Sequence, residues 1–239
     1  MNDGTAASSI ISMLSALSYF HKLNNTFDPT HAFAIRQLVI AVRRSLPSGD
    51  SRQPITENML IRMFDRLPKI GLEFYETLLF QAAFLCAFYF GLRISEYTDS
   101  QHNIQMHQLA ISATEVHLTF FSFKHSGFRP ETHSITSSDA PICVVKSLLT
   151  FLSYRGNAAG PLFLLRGKPI SRQFFCSILR RVVGELGWGN NIKSHSFRIG
   201  AASFWAEKGF SELQIKLMGR WRSDAISQYF RGEIKHSLF

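Results

Sequence analysis

The sequence has few cysteines and no pattern that would bind a metal through them. Cys86, Cys143 and Cys176 fall inside apolar stretches, with no Cys-x-x-Cys spacing and no histidine at ligand spacing. Zinc sites and disulfide frameworks both need such spacing. The sequence also lacks the clustered carboxylates that hold Mg²⁺. We therefore expect no metal, no cofactor and no disulfide, in an intracellular, reducing compartment.

Long hydrophobic runs are also missing. The most apolar run, Leu78 to Leu92, contains Gln81 and is 15 residues long, whereas a membrane-spanning helix needs about 20 apolar residues. The N-terminus has no basic region leading into an apolar stretch, so no secretory signal is evident. We predict a buried helix here and no membrane association.

Acidic residues are scarce relative to basic ones. Lys plus Arg number 26 and Asp plus Glu number 17, which gives a formal net charge of +9. This excess suits a polyanionic partner such as nucleic acid, although a basic protein without such a partner would have the same composition. Hydrophobic residues make up 46% of the chain, with 22 phenylalanines, so a packed core is expected.

The order of patterns along the chain predicts two domains, 1–50 and 51–239, and a mainly α fold with a small antiparallel β-sheet (α+β). Helical periodicity over Ser8–Leu23 and Pro29–Leu46 precedes a polar stretch near residue 50. Beyond it we predict helices over Thr56–Arg66, Phe74–Leu92, Pro141–Tyr154 and Ser171–Leu186, and a hairpin formed by Val116–Phe123 and His133–Thr136 around Gly127.

The closing segment gathers residues that could bind a phosphate. Ser194 is predicted to cap a helix from His195 to about Lys208, which Gly209 ends. His195 and Arg198 then lie on neighbouring positions of one helical face. Unpaired N–H groups in the first turn of a helix favour an anion, so the start of this helix is a plausible phosphate-binding site. A histidine that only caps the helix or packs in the core is the alternative.

Two shorter helices are predicted to follow. Ser211 opens one that runs through Met218, and Ser223 caps another that carries Tyr229. The small residues 200–203 of the preceding helix would let another element approach closely. Tyr229 near an apolar helix end suits packing as well as chemistry.

Four motifs in this order resemble the tyrosine recombinase (phage integrase) family. They are GLRISE at Gly91–Glu96, HSFR at His195–Arg198, GRW at Gly219–Trp221 and SDAISQYFR at Ser223–Arg231. They are most similar to the branch found in eukaryotic mobile elements. The resemblance implies the DNA breaking-rejoining enzyme fold, with 1–50 as a reduced helical core-binding segment that clamps DNA and 51–239 as the catalytic domain.

The resemblance also assigns a role to each motif residue. Tyr229 would attack the scissile phosphate and form a 3′-phosphotyrosine, without metal, cofactor or ATP. Arg93 and Arg198 would grip the non-bridging oxygens, His195 would assist proton transfer from the tyrosine, and Lys124 would protonate the leaving oxygen. Glu96 resembles the acidic residue that supports the turn after the first arginine.

Two of these assignments have alternatives. Trp221 occupies the remaining catalytic position counting forward from His195, but Arg220 occupies it counting back from Tyr229; we favour Trp221, whose indole N–H is a known substitute in the family. For the hairpin lysine, His125 and Arg129 could replace Lys124.

The function implied is that of a site-specific DNA recombinase or integrase. It would act on double-stranded DNA as a homo-oligomer, either a dimer or a tetramer, in the nucleus of a eukaryote or otherwise in the cytoplasm. A catalytically lapsed DNA-binding protein descended from a mobile-element recombinase is the first alternative, and a relaxing topoisomerase with the same site chemistry is the second.

Overall fold

The computed structural model describes residues 7–45, 51–121 and 130–221. The chain forms two compact units, Met1–Asp50 and Ser51–Phe239. Within the described ranges, no helix combines the length and the apolar character that crossing a membrane requires.

Residues 7–45 of the N-terminal unit contain two helices, as predicted. Helix α1 spans Ala7–Leu23 and α2 spans Phe33–Ser45. The second helix begins later than the predicted Pro29, because Pro29–His31 form a separate 3₁₀ turn. None of the side chains described in this unit is buried. The unit therefore has two helices but no core among its described residues.

The second unit is mainly helical. Helices α3, α6 and α7 match the prediction within three residues, and Thr56, Ser171 and Ser211 cap helices by accepting a backbone N–H. The helices are α3 (Glu57–Arg66), α4 (Phe74–Tyr89), α5 (Ile94–Tyr97), α6 (Val144–Arg155), α7 (Arg172–Glu185), α8 (Ser196–Glu207) and α9 (Glu212–Met218).

Two small antiparallel sheets accompany these helices in residues 51–121 and 130–221. Strands β1 (Leu109–Ile111), β2 (Glu115–Phe120) and β3 (Glu131–Thr136) form a sheet in the order β1-β2-β3. The predicted pairing of β2 with β3 is confirmed, whereas β1 was not predicted. The predicted turn around Gly127 lies outside the described residues. Strands β4 (Leu164–Leu165) and β5 (Lys168–Pro169) form a second hairpin. The architecture is α+β.

Helix α4 is the centre of the core, as its apolar sequence predicts. Phe84 is fully buried, with its ring 5.4 Å from that of Phe175 on α7 and 5.1 Å from that of Phe197 on α8. The helix ends at Tyr89, not at the predicted Leu92, because the chain turns at Gly91, where φ is +54°. This turn sends the chain from the core into α5.

Helix α8 packs closely against the segment that precedes α3. A Cβ at Gly200 would lie 1.9 Å from the carbonyl oxygen of Ile55, and the Ile55 N–H donates to the Ser196 carbonyl at 3.1 Å. The predicted close approach at the small residues is confirmed. The predicted cap is wrong: α8 begins at Ser196, and His195 is the cap residue without a side-chain cap bond. The Ser196 hydroxyl instead accepts the Lys193 N–H at 3.0 Å.

Candidate active site

Three arginines from distant parts of the sequence meet beside the turn at Gly91. Arg93 precedes α5, Arg198 lies in the first turn of α8, and Arg220 follows α9. The Arg93 Nη2 donates to the Arg220 carbonyl at 2.9 Å. Arg198 donates to the carbonyl oxygens of Gly91 and Gly219. These bonds tie the turn before α5 to the turn after α9.

Glu96 lies between two of these guanidinium groups. It accepts the backbone N–H of Arg93 at 2.7 Å, the Arg93 Nη1 at 3.3 Å and the Arg220 Nη2 at 2.7 Å. Burial alone would raise the pKa of Glu96, but Arg220 and the Arg93 N–H hold the pKa below its usual range. The carboxylate therefore stays ionised, and its predicted support of this turn is confirmed.

The Arg220 side chain points into the protein. It has no exposed surface, its guanidinium lies 3.7 Å from the centre of the Phe120 ring, and Nη1 donates to the Phe90 carbonyl at 3.3 Å. Burial lowers the pKa of Arg220, and Glu96 opposes that shift. The pair thus forms a buried ion pair between α5 and the end of α9.

Trp221 faces the other side of the same turn. The Arg198 guanidinium lies 4.0 Å from the centre of its ring, within the range of a cation–π contact. The ring also makes an edge contact with Trp205, 6.4 Å between centroids. It covers Gly219 so closely that a Cβ there would lie 1.5 Å from Cζ3. Gly219 therefore has to be glycine for Trp221 to reach Arg198.

His195 is placed one turn before Arg198. Its carbonyl accepts the Arg198 N–H at 3.0 Å, and the residue is half-buried at the start of α8. The structure thus brings Arg93, Arg198 and Trp221 together and sets His195 beside the same helix. Lys124 and Tyr229 lie outside the described residues.

His133 also belongs to this neighbourhood, although no motif pointed to it. Its ring makes an edge contact with Phe120 at 5.3 Å, and Arg220 is stacked on the same phenylalanine. Burial, and secondarily Arg220, lower the pKa of His133 from 6.5 to about 4. The signal in the sequence was the alternation in β3, which places His133 on the same face as Ile135.

The cluster carries more positive than negative charge. It contains three guanidinium groups and one carboxylate, and Arg93 has 27% of its side chain exposed while Arg198 is buried. In the part of the chain that the structure describes, no three His, Cys, Asp or Glu residues group as metal ligands would. A planar guanidinium at an open edge is suited to bind phosphate oxygens.

Comparison with known proteins identifies the fold. No family model matches the chain, and no curated protein matches it. Among solved structures, the Tn1549 transposon integrase in complex with circular intermediate DNA has a TM-score of 0.62 at 14% identity, over 96% of this chain and 76% of that one. A lambda integrase dimer bound to a COC' core site has a TM-score of 0.57 at 15% identity, over 100% and 67%.

A third structure extends the comparison to another recombinase. The XerH site-specific recombinase in a post-cleavage complex with palindromic difH substrate has a TM-score of 0.55 at 12% identity, over 74% of this chain. The match spans about half, 48%, of the length of that XerH chain. The chain has the fold of the tyrosine recombinase catalytic domains, and the predicted fold is confirmed.

Proposed function

We propose that the protein is a tyrosine recombinase, a site-specific DNA recombinase or integrase of the kind carried by eukaryotic mobile elements. The convergence of Arg93 and Arg198 on one cluster, with Trp221 stacked on Arg198 at 4.0 Å, is the observation that supports it. The cluster lies on the fold of enzymes solved with DNA bound.

The proposed chemistry is a transesterification at phosphorus. The Tyr229 oxygen would form a bond to the scissile phosphorus as the bond to the 5′ oxygen breaks, which leaves a 3′-phosphotyrosine and a 5′-hydroxyl. Arg93 and Arg198 would stabilise the charge on the non-bridging oxygens. His195 would take part in the tyrosine's proton transfer, and Lys124 would supply the proton to the leaving oxygen. Because the phosphodiester energy is kept in the new bond, ATP is not needed.

Double-stranded DNA is the proposed partner, bound by a dimer or tetramer in the nucleus. The net charge of +9 favours a polyanion, and the lambda integrase neighbour is a dimer on DNA. The unit Met1–Asp50 is proposed to add a reduced second DNA contact.

A duplex nicked close to the 3′ side of the cleavage site tests this proposal. The short fragment that carries the new 5′-hydroxyl then diffuses away after cleavage, so the covalent intermediate accumulates. With duplexes from the flanks of the encoding gene, in EDTA, we expect a protein–DNA band that survives denaturing electrophoresis. Tyr229→Phe should abolish the band. Tyr154→Phe is the matched control, since Tyr154 is 59% exposed on α6, and it should keep the band.

A lapsed DNA-binding protein is the second candidate, and the burial of Arg198 favours it. Arg198 has 2% of its surface exposed and donates to two backbone carbonyls, as a purely structural arginine would. DNA binding that weakens steeply with salt, without any covalent band, would establish this alternative.

A further inference from the structure

We infer that Arg220 is a positioning residue that fixes the pose of Arg93, and that it does so from inside the protein without touching the phosphate. This inference rests on the proposed function. Counting back from Tyr229 made Arg220 a candidate for the remaining catalytic position. The inference gives it a positioning role instead.

Two links connect Arg220 to Arg93. The Arg220 carbonyl accepts the Arg93 Nη2 at 2.9 Å, and the Arg220 guanidinium holds Glu96 Oε2 at 2.7 Å. Glu96 in turn accepts both the backbone N–H and the Nη1 of Arg93. Each link restrains one part of Arg93, so together they fix the plane of its guanidinium group. A bidentate grip on a phosphate depends on that plane.

The burial of Arg220 prevents it from binding the phosphate itself. Its side chain has no exposed surface, whereas Arg93 keeps 27%. Its guanidinium is enclosed by Phe120, the Phe90 carbonyl and Glu96, and its Nε has no hydrogen-bond partner among the described residues. A buried donor without a partner costs stability, so packing alone does not explain an arginine here.

The backbone at Arg220 gives an independent indication. Its φ is +54°, in the left-handed region where helices usually end on glycine. The Arg220 N–H donates to the Leu217 carbonyl and the Trp221 N–H to the Lys216 carbonyl, both at 2.9 Å, which is the hydrogen-bond pattern of a Schellman motif. Strain of this kind at a non-glycine residue points to a functional constraint. The left-handed turn sends Arg220 inward and leaves Trp221 beside Arg198.

The test separates positioning from phosphate binding by combining cleavage rate with salt dependence. The slope of log K against log salt falls by about one for each phosphate that the protein no longer binds. We expect Arg220→Met to slow single-turnover cleavage of the nicked duplex by about 10²-fold, the effect of a displaced catalytic group, with an unchanged slope. Arg93→Met should reduce the slope by about one. Arg220→Lys should restore part of the rate, because it returns a cation to Glu96.

A second measurement asks whether Arg220 acts through Arg93. In an Arg93→Met background, Arg220→Met should change the cleavage rate by less than about 3-fold, because residues that act as a unit are non-additive. Arg155→Met is the control for loss of an arginine that bonds backbone carbonyls: Arg155 donates to the carbonyls of Leu162 and Pro161, outside the arginine cluster, and its variant should cleave at the wild-type rate.

Arg220→Met leaves Glu96 buried without its partner and could prevent folding. The double variant Glu96→Gln/Arg220→Gly removes both charges and places glycine at the left-handed φ, and it should fold and still cleave about 10²-fold slower. A reduced salt slope in Arg220→Met, or wild-type cleavage by the folded double variant, would overturn the inference alone. A wild-type protein that binds DNA but forms no adduct would overturn the proposed function and the inference with it.

Discussion

The two compact units of the chain differ in how their side chains are packed. In Ser51–Phe239, helix α4 is surrounded by buried phenylalanines, and the arginine cluster sits at the end of this core. In Met1–Asp50, none of the described side chains is buried, and Tyr19, Phe27 and Phe33 are each more than two-thirds exposed. A core lets the second unit hold charged groups in fixed positions, and the described part of the first unit has no such means.

This difference predicts that, as isolated fragments, only the second unit unfolds cooperatively. Residues 1–50 should show no cooperative thermal transition by circular dichroism, because a chain of this size without a core does not offset its conformational entropy. Residues 51–239 should unfold in a sigmoidal transition. A sigmoidal melt of the 1–50 fragment would break the comparison.

A titrating histidine probes the core of the second unit. Burial holds the pKa of His133 at about 4 in the folded protein, against 6.5 when it is unperturbed. The unfolded chain therefore binds the proton first, so stability present above pH 6.5 is lost as the pH falls towards 4. The free energy of unfolding should drop by about 3 kcal/mol across this window. His133→Gln should remove that part of the pH dependence in urea unfolding, and an NMR titration midpoint near 6.5 would contradict the account.

The contact between α8 and the segment before α3 tests how tightly the second unit is packed. Gly200→Ala should lower the free energy of unfolding by about 1–3 kcal/mol, because its Cβ would lie 1.9 Å from the Ile55 carbonyl oxygen. Gly184→Ala on α7 is the control, since a Cβ there meets nothing within 4 Å, and it should stabilise the protein by up to about 1 kcal/mol. Equal stability of the two variants would show that this contact is loose.

The smallest effect is expected in the N-terminal unit. Asp28 accepts hydrogen bonds from the Ser18 hydroxyl at 2.5 Å and from the Thr30 N–H at 3.0 Å. These bonds lower the pKa of Asp28 to about 2, and the bond from Ser18 has the largest effect. Because these bonds join residues of the N-terminal unit only, Asp28→Ala should leave the main urea transition of the full chain unchanged and reduce only the helical signal. A shifted main transition would mean that this unit shares the stability of the second.

Local signals in the sequence predicted most of the fold. Ser211 caps α9 as expected, because an N-cap depends on residues within one turn. Helix α4 ends three residues before the predicted Leu92 because the chain turns at Gly91. Strand β1 was missed because three residues carry little periodicity. The cap of α8 was misplaced because the Ser196 hydroxyl accepts the N–H of Lys193, a residue that precedes the helix.

The sequence predicted site residues only where they belong to a recognised motif. The motifs pointed to Arg93 and Arg198, and the structure brings these two together. The inward turn of Arg220 depends on Glu96 and Phe120, which lie far away in the sequence. A count of residues between motifs could not settle whether Arg220 or Trp221 faces Arg198, because the answer depends on these non-local contacts.

The central claim is that the arginine cluster supports strand cleavage by Tyr229. The most direct measurement is mass spectrometry of the trapped protein–DNA adduct after digestion with protease and nuclease. The account predicts a nucleotide joined through a 3′-phosphate to the peptide that carries Tyr229. An adduct on another residue, or DNA binding with no adduct at all, would contradict it.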